Sequence, residues 1–328
     1  MNGLGGFPGF YDAPFYNLVN ELYCADKPIE ALAEAKKIGV TETNAIYAEA
    51  ETRLLGTTWE IFPWLKLEAI ESEVGDRLEQ LQARIKSVCE SISKRFGSNN
   101  SKPTLISILP ADVEDNWMTA RWGYYLQREP CHKICIPYHL LSNPDQFSIT
   151  LSHEFMHDVT TSLIDEGPPH RSIYVGIRPN GVMTSTSLKK APHWLQEALS
   201  TYVEGRTSNQ ARALFKSGKL QWKEPMQLEG VFNEDSRRPE LQEAISAAYS
   251  QANLLGLYLA TLGTDLKIAA FLRLIGSESV LLNLESEIFA KDRVDIPMRK
   301  TYGFTEKEFC ADALKWVQTR PANSKPSS

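Results

Sequence analysis

Apolar residues recur at three- and four-residue spacing through much of the first hundred positions, which is typical of helices with one buried face. The pattern runs from about Pro28 to Phe96, through "IEALAEAKKIG", "ETNAIYAEAETRLLG" and "LKLEAIESEVGDRLEQLQARIKSVCESISKRF". The stretch "GSNNSKP" that follows is rich in Gly, Ser and Asn and marks a linker. These features predict an N-terminal helical region over residues 1–100.

Shorter segments rich in β-branched and aromatic residues follow the linker and predict strands. They are "TLISILP", "MTARWGYYLQ" and "HKICIPY". A helix is predicted next, from about Pro144 to Leu163, with Asn143 as its N-cap and Pro144 at its first position. Pro192 opens another predicted helix, "HWLQEALSTYVEGR". The irregular stretch between them, residues 165–191, is long enough to indicate a functional or covering loop; a lid is one hypothesis, which the sequence leaves open.

The remainder of the chain again has helical periodicity, through "PELQEAISAAYSQANLLGLYLATLG" to about Val317. The order of predicted elements is that of an α+β protein. We expect a sheet-containing domain over residues 101–207, a C-terminal helical subdomain over 208–319 and a disordered polar tail over 320–328.

Composition and charge narrow the classes of function. The 328 residues carry a formal net charge of −6 and show no basic patch, so a nucleic-acid partner is not expected. The chain has no apolar run long enough to span a membrane and no signal-peptide pattern at its N-terminus. The five cysteines are odd in number and scattered, which favours a reducing compartment. We expect a cytoplasmic protein without a membrane partner, and the sequence leaves its oligomeric state open.

The stretch "CHKIC" brings Cys131, His132 and Cys135 close together in sequence. Its spacing is not that of a zinc knuckle, and "HKICIP" alternates as a strand does. Free cysteines commonly pack as small apolar side chains, so we interpret these two as structural.

The stretch "SHEFMHDVTT" carries the candidate chemistry. His153 and His157 are four residues apart, so on a helix they share one face and can direct ring nitrogens at one ion about 2 Å away. Glu154 lies about 100° round the helix from His153, where it flanks the ion and reaches a water molecule. This is the H-E-x-x-H arrangement of zinc peptidases, with two ligands and a general base. The sequence therefore predicts a Zn²⁺ site.

Catalytic zinc usually has a third protein ligand and one open position. Glu197 is the best placed candidate, because apolar neighbours on its predicted helix would pack it beside the first. Thr201, one turn later, could donate a hydrogen bond to its carboxylate. His193, one turn before, is the main competitor, and His170 in the loop is a further possibility.

The two helices together resemble a known family. "SHEFMH", followed after a loop by "PHWLQEALSTYVEG", is similar to the gluzincin pattern H-E-x-x-H … P-x-W-L-x-E-G-x-A-x-Y-x-E, and most closely to peptidase MA-like domains. The resemblance covers about half of the chain and implies a zincin-like catalytic domain, with a small mixed sheet and flanking helical regions. It implies His153, His157 and Glu197 as zinc ligands and Glu154 as the base. Ala198 stands where the family usually has Gly, and the loop before Glu197 is longer than usual.

The resemblance also suggests a residue that stabilises the oxyanion. "AAYSQANLLGLYLATLG" is similar to the segment in which gluzincin aminopeptidases carry a tyrosine for this purpose, and Tyr249 takes its position. Gln251 and Ala252 replace the Lys-Gly pair of that segment. A core or surface tyrosine is the alternative, and Tyr202 and Tyr258 are lesser candidates.

These families bind extended substrate at an edge strand. By resemblance "ARWGYYLQ" has this role, with Trp122, Gly123 and Tyr124 at the substrate and Gly123 allowing close backbone approach. An internal strand with aromatic core residues is the alternative. The G-x-M-E-N motif of the aminopeptidases is absent, which favours an endopeptidase.

The function expected from these features is hydrolysis of a peptide or protein substrate by a zinc-activated water, with Glu154 as general base. Substrate and cleavage preference are not determined by the sequence. A zinc-containing regulatory or binding protein with a gluzincin-like fold but no activity is the alternative. A hydrolase of non-peptide substrates is a third interpretation.

Overall fold

A computed structural model of the chain describes most of its residues. They are residues 22, 25, 27–37, 44–100, 102–110, 123–127, 131–167, 191–205, 209–232, 241–277 and 289–319. Contacts within the chain define two compact units. The first comprises Met1–Ile92 and Asn100–Asp158, and the second comprises Ser93–Asn99 and Val159–Ser328.

The helices of the first unit follow the predicted order. They are α1 (Pro28–Lys37), α2 (Asn44–Leu55), α3 (Glu71–Val74), α4 (Leu78–Phe96) and α5 (Pro144–Asp165), and the last two continue into the second unit.

The start of α5 is the one that the sequence predicts. Pro144 is its first residue, and the side-chain oxygen of Asn143 accepts a hydrogen bond of 3.1 Å from the main-chain N–H of Gln146. This bond satisfies one of the free N–H groups of the first turn. The predicted N-cap is therefore confirmed.

The first unit also contains a small mixed sheet. Its strands are β1 (Thr57–Phe62), β2 (Leu65–Ala69), β3 (Thr104–Leu109), β4 (Tyr124–Leu126) and β5 (His132–Pro137). Their order among the described residues is β1-β2-β3-β5-β4, with β2, β3 and β5 parallel and the two outer strands antiparallel to their neighbours. The predicted combination of helices with a small mixed sheet is confirmed, as are strands in all three segments predicted to contain them.

The prediction of an entirely helical region over residues 1–100 is wrong for β1 and β2. In β2, "LKLEA" alternates apolar and polar residues with the period of a strand, and all of them except Lys66 are buried. The helical pattern of α3 and α4 follows β2 almost at once. The short strand was therefore included in the longer segment with helical periodicity.

The two faces of the sheet carry different chemistry. Ile106 and Ile134 lie on the face that meets α5, where Thr104 and His132 both contact Asp158. The opposite face is covered by α2, and it contains charged groups.

The centre of these charged groups is Lys133, which is 1% exposed. Its Nζ lies 2.9 Å from a carboxylate oxygen of Glu49 and 3.7 Å from one of Glu68. Arg53 Nε donates to the other oxygen of Glu68 at 2.6 Å, and the Tyr124 hydroxyl donates to Glu49 at 2.9 Å. Lys133 and the two carboxylates are thus buried together, while Arg53 is partly exposed and completes the balance of two cations with two carboxylates.

The described part of the second unit is helical. Its helices, beyond the ends of α4 and α5, are α6 (His193–Val203), α7 (Asn209–Lys216), α8 (Pro225–Phe232), α9 (Gln242–Thr261), α10 (Asp265–Ser277), α11 (Phe289–Tyr302) and α12 (Glu306–Thr319).

Helices α6 and α9 are in close contact, because Gly256 of α9 lies directly against the main-chain carbonyl of Ala198. A side chain at position 256 would separate them. Trp194 anchors α6 further, since its indole N–H donates to Glu306 of α12 at 2.7 Å. Of the helices that the structure describes, none is long and apolar enough to cross a bilayer alone; Gln242–Thr261 and Asp265–Gly276 meet those limits only as a pair, bent by 109°.

Candidate metal centre

Helix α5 brings three of the predicted site residues together. The potential ligand atoms of His153, Glu154 and His157 all lie within 4.8 Å of one another. The two imidazole rings have centroids 4.9 Å apart and planes at 68°. The buried apolar side chains of Phe155 and Met156 fix the orientation of this turn.

The residues present fit a zinc ion. Zinc takes imidazole nitrogens and carboxylate oxygens at about 2.0–2.2 Å, so donor atoms around one ion lie roughly 3–4 Å apart. The candidate ligand atoms lie within 4.8 Å of one another, which is close to that separation. Glu154 and His157 are 7% and 8% exposed, so the cluster is mostly withdrawn from water while His153 is more open.

A buried histidine–aspartate pair lies directly behind this cluster. Nδ1 of His132 is 2.5 Å from Oδ1 of Asp158, the residue that follows His157. The other oxygen of Asp158 accepts a hydrogen bond of 2.9 Å from the Thr104 hydroxyl. If Asp158 is ionised it can only accept, and Nδ1 of His132 is then the donor of this pair. Asp158 thereby ties the turn that carries His157 to strands β3 and β5.

Tyr125 of β4 faces the metal cluster, and the sequence reasoning missed it. Its ring lies nearly parallel to that of His157, with centroids 6.1 Å apart. The signal was present in the sequence, because side chains alternate along a strand and adjacent tyrosines must enter opposite faces. Following that alternation would have placed either Tyr124 or Tyr125 beside α5.

The structure describes two of the three predicted substrate-binding residues, and it places them differently. Trp122 lies outside the described residues. Gly123 has φ of +78°, and a Cβ there would lie 2.9 Å from the carbonyl oxygen of Cys135 and 3.0 Å from Cγ2 of Thr150, so it approaches β5 and α5 closely. The Tyr124 side chain points to Glu49 on the other face of the sheet.

Strand β4 itself is at an edge of the described sheet, not inside it. This is the position that the sequence analysis assigned to "ARWGYYLQ".

Glu197 belongs to the second unit, on α6, and its Oε2 is buried. The predicted hydrogen bond from Thr201 to its carboxylate is wrong. The Thr201 hydroxyl donates instead to the main-chain carbonyl of Glu197 at 2.6 Å, as threonines inside helices commonly do with the residue four positions earlier. Glu197 as a zinc ligand stays a prediction.

Of the two competing ligands, His193 is among the described residues and His170 is not. Nδ1 of His193 lies 3.7 Å from a carboxylate oxygen of Glu229, whose other oxygen accepts from the main-chain N–H of Trp194 at 3.2 Å. His170 lies outside the described residues, as do residues 168–190 of the hypothesised lid.

The tyrosine candidates for the oxyanion role lie in the second unit. Tyr249 is half-buried and meets the ring of Phe232 edge to face at 5.2 Å. The Tyr202 hydroxyl donates to Asp265 at 3.0 Å, and burial together with that carboxylate raises its pKa. Tyr258 packs between Phe309 and Trp316, and burial raises its pKa also. The role of Tyr249 stays a prediction.

Four of the described cysteines are not in disulfides: Cys89, Cys131, Cys135 and Cys310. Cys135 is fully buried in β5 beside Ala48 and Leu109, as expected for a structural residue.

Comparisons with known proteins found no match among protein-family models, curated proteins or solved structures.

Proposed function

We propose that the protein is a zinc-dependent peptidase of the gluzincin type, with a zincin-like arrangement of the sheet and helix α5. The observation that carries this proposal is the close grouping of His153, Glu154 and His157 on one turn of α5. The H-E-x-x-H spacing places two histidines on one face only if the segment is helical. Helix α5 meets this condition.

The chain's own residues would divide the chemistry between them. His153 and His157 hold the ion through neutral ring nitrogens, and Glu197 is proposed as the third ligand by resemblance. Bound zinc supplies a positive charge that polarises a carbonyl and lowers the pKa of water. Glu154 accepts a proton from the attacking water and returns it to the leaving amine. Its low exposure favours this role, because proton transfer is best controlled where bulk water is scarce. Tyr249 is proposed as the donor to the oxyanion.

An extended peptide is the proposed substrate. The position of β4 at the edge of the described strands supports this, since extended peptides commonly bind by adding a strand at the edge of a sheet. Such pairing accepts peptides of varied sequence and does not require a free terminus. Endopeptidase activity is therefore proposed in preference to aminopeptidase activity.

The zinc content and peptidase activity of Glu154→Gln test the proposal. We expect about one zinc per chain in both wild type and variant, and loss of hydrolysis of an unfolded protein substrate by about 10²- to 10⁴-fold in the variant. Asp145→Asn is the matched control, because it removes an exposed carboxylate from the same helix. Absence of zinc from wild type purified without chelators would reject the proposal.

The same measurements separate the alternative function. Stoichiometric zinc with no cleavage of any peptide by wild type would favour a non-catalytic zinc protein. Glu197→Ala and His193→Ala, compared for zinc content, decide between the two candidates on α6. We expect loss of zinc only in Glu197→Ala.

A further inference from the structure

The ring of Tyr125 contacts two histidines, one of which is His157 of the candidate metal centre. It is nearly parallel to the imidazole of His157, with centroids 6.1 Å apart and planes at 16°. It is nearly perpendicular to the imidazole of His132, with centroids 5.7 Å apart and planes at 87°. Both arrangements are among those that aromatic pairs prefer, namely offset stacking and edge-to-face contact.

We propose that Tyr125 is a positioning residue, whose ring holds the imidazole of His157 in the orientation that binds zinc. The inference rests on the proposed zinc site, and it concerns a residue that is not among the proposed ligands. A histidine ligand presents its nitrogen lone pair in the plane of the ring, so rotation of the ring moves that lone pair off the ion. A ring stacked on the face of the imidazole hinders this rotation and leaves the nitrogens at its edge accessible.

Tyr125 is held in turn by His132. That residue is completely buried, and its Nδ1 is fixed 2.5 Å from Oδ1 of Asp158. Asp158 is fixed by Thr104 as well and follows His157 directly in the chain. The same turn of α5 therefore supplies both the proposed ligand and the carboxylate that anchors its support.

The buried Nε2 of His132 indicates that the contact between His132 and Tyr125 does more than fill space. Within the part of the chain that the structure describes, Nε2 of His132 is buried without a hydrogen-bond partner. Burial of an unsatisfied polar nitrogen costs free energy that an apolar residue in β5 would avoid. An imidazole at this position gives a planar ring against Tyr125 and a bond to Asp158 at once, which an apolar side chain cannot do.

Zinc affinity of Tyr125 variants tests the inference. Competition with a chromophoric chelator would be measured for full-length wild type, Tyr125→Phe, Tyr125→Leu and Tyr125→Met. We expect Leu and Met to weaken zinc binding by about 10- to 100-fold, the usual effect of removing a group that orients a ligand. Phe keeps the ring and should bind zinc nearly as wild type does. Met is the second truncation because its flexible side chain fills the space that a shorter one leaves empty.

Tyr124→Leu is the matched control. Tyr124 is the neighbouring tyrosine of the same strand, but its hydroxyl donates to Glu49 on the opposite face of the sheet. Its replacement should lower stability without changing zinc affinity. The visible absorption spectrum of Co²⁺-substituted protein reports the geometry of the ligands, and it should change in the Leu and Met variants of Tyr125 but not in Tyr125→Phe or Tyr124→Leu.

The outcomes separate this inference from the proposed function. Zinc binding and a cobalt spectrum in Tyr125→Leu and Tyr125→Met that match wild type would overturn the positioning role and leave the zinc site intact. Weakened binding in both, without any peptide cleavage by wild type, would support the positioning role and reject the peptidase. Wild type that binds no zinc would overturn both.

Discussion

His132 and Asp158 form a buried pair, with Nδ1 and Oδ1 2.5 Å apart, that joins strand β5 to the helix carrying His153 and His157. Asp158 also accepts a hydrogen bond from Thr104 of β3. One carboxylate therefore connects α5 to two neighbouring parallel strands, and the position of the candidate metal centre on the sheet depends on it.

Replacement of Asp158 by Ala should destabilise the protein even without metal. It leaves the Nδ1–H of His132 and the hydroxyl of Thr104 buried without an acceptor, and each such loss costs roughly 1–3 kcal/mol. We expect the free energy of unfolding, measured by urea denaturation in excess chelator, to fall by about 3 kcal/mol. Asp158→Asn keeps one acceptor oxygen and should lose less. Equal stability of Asp158→Ala and wild type would contradict the role of the pair.

Lys133, on the face of the sheet that α2 covers, should be essential to the stability of the protein. Lys133→Met removes the cation nearest to Glu49 and leaves that carboxylate buried without its counter-charge. Breaking a buried ion pair from one side typically costs about 3–5 kcal/mol. Lys66→Met is the control, because Lys66 is an exposed lysine of β2 in the same sheet. The free energies of unfolding of the two variants, from urea denaturation curves, should differ by most of that amount. Curves that superimpose would show that the charged network does not contribute to stability.

Gly123→Ala should be destabilising for two reasons that a control can separate. The backbone has φ of +78°, which costs a non-glycine residue about 1–2 kcal/mol, and the new Cβ would press on the Cys135 carbonyl and on Thr150. Gly205 has φ of +71° with nothing within 4 Å of the position of a Cβ. Gly205→Ala therefore has the backbone cost alone. A larger loss of melting temperature in Gly123→Ala is expected, and equal losses would show that the close contact is unimportant.

The described thiols should differ strongly in their reaction with iodoacetamide at pH 8. Burial raises the pKa of Cys310 to about 11, so only about one molecule in a thousand carries its thiolate at that pH. Burial also raises the pKa of Cys89, which is fully inaccessible. Cys131 is half-buried, and of these three it should be labelled first. Peptide mass spectrometry with and without urea checks this order, and rapid labelling of Cys310 in the folded protein would contradict it.

Local signals in the sequence were sufficient for the helix that carries the candidate site. The N-cap Asn143, the initial Pro144 and the four-residue spacing of His153 and His157 all lie within one continuous element. Each is a short-range feature, which the geometry of a helix determines without reference to the rest of the chain.

The contacts around the site could not be predicted from local signals in the sequence. The contact of His132 with Asp158 requires β5 to pair in parallel with β3, and parallel pairing depends on how distant segments cross over. The burial of Lys133 likewise depends on Glu49 of α2 and Glu68 of β2, which the sequence analysis placed in a separate helical region. Tyr125 is an intermediate case, since alternation predicts that one of two tyrosines faces α5 but not which one.

The pairing of β4 with β5 has an ambiguity that Gly123 resolves. Tyr124 and Tyr125 are chemically identical, so a shift of β4 by one residue along β5 would put the ring of Tyr124 in the place of that of Tyr125. That shift would bring Trp122 to the place of Gly123, where neither the positive φ nor the contact with the Cys135 carbonyl admits a side chain. The close packing at Gly123 therefore favours the observed alignment of the strand, in which Tyr125 meets His157 and Tyr124 meets Glu49.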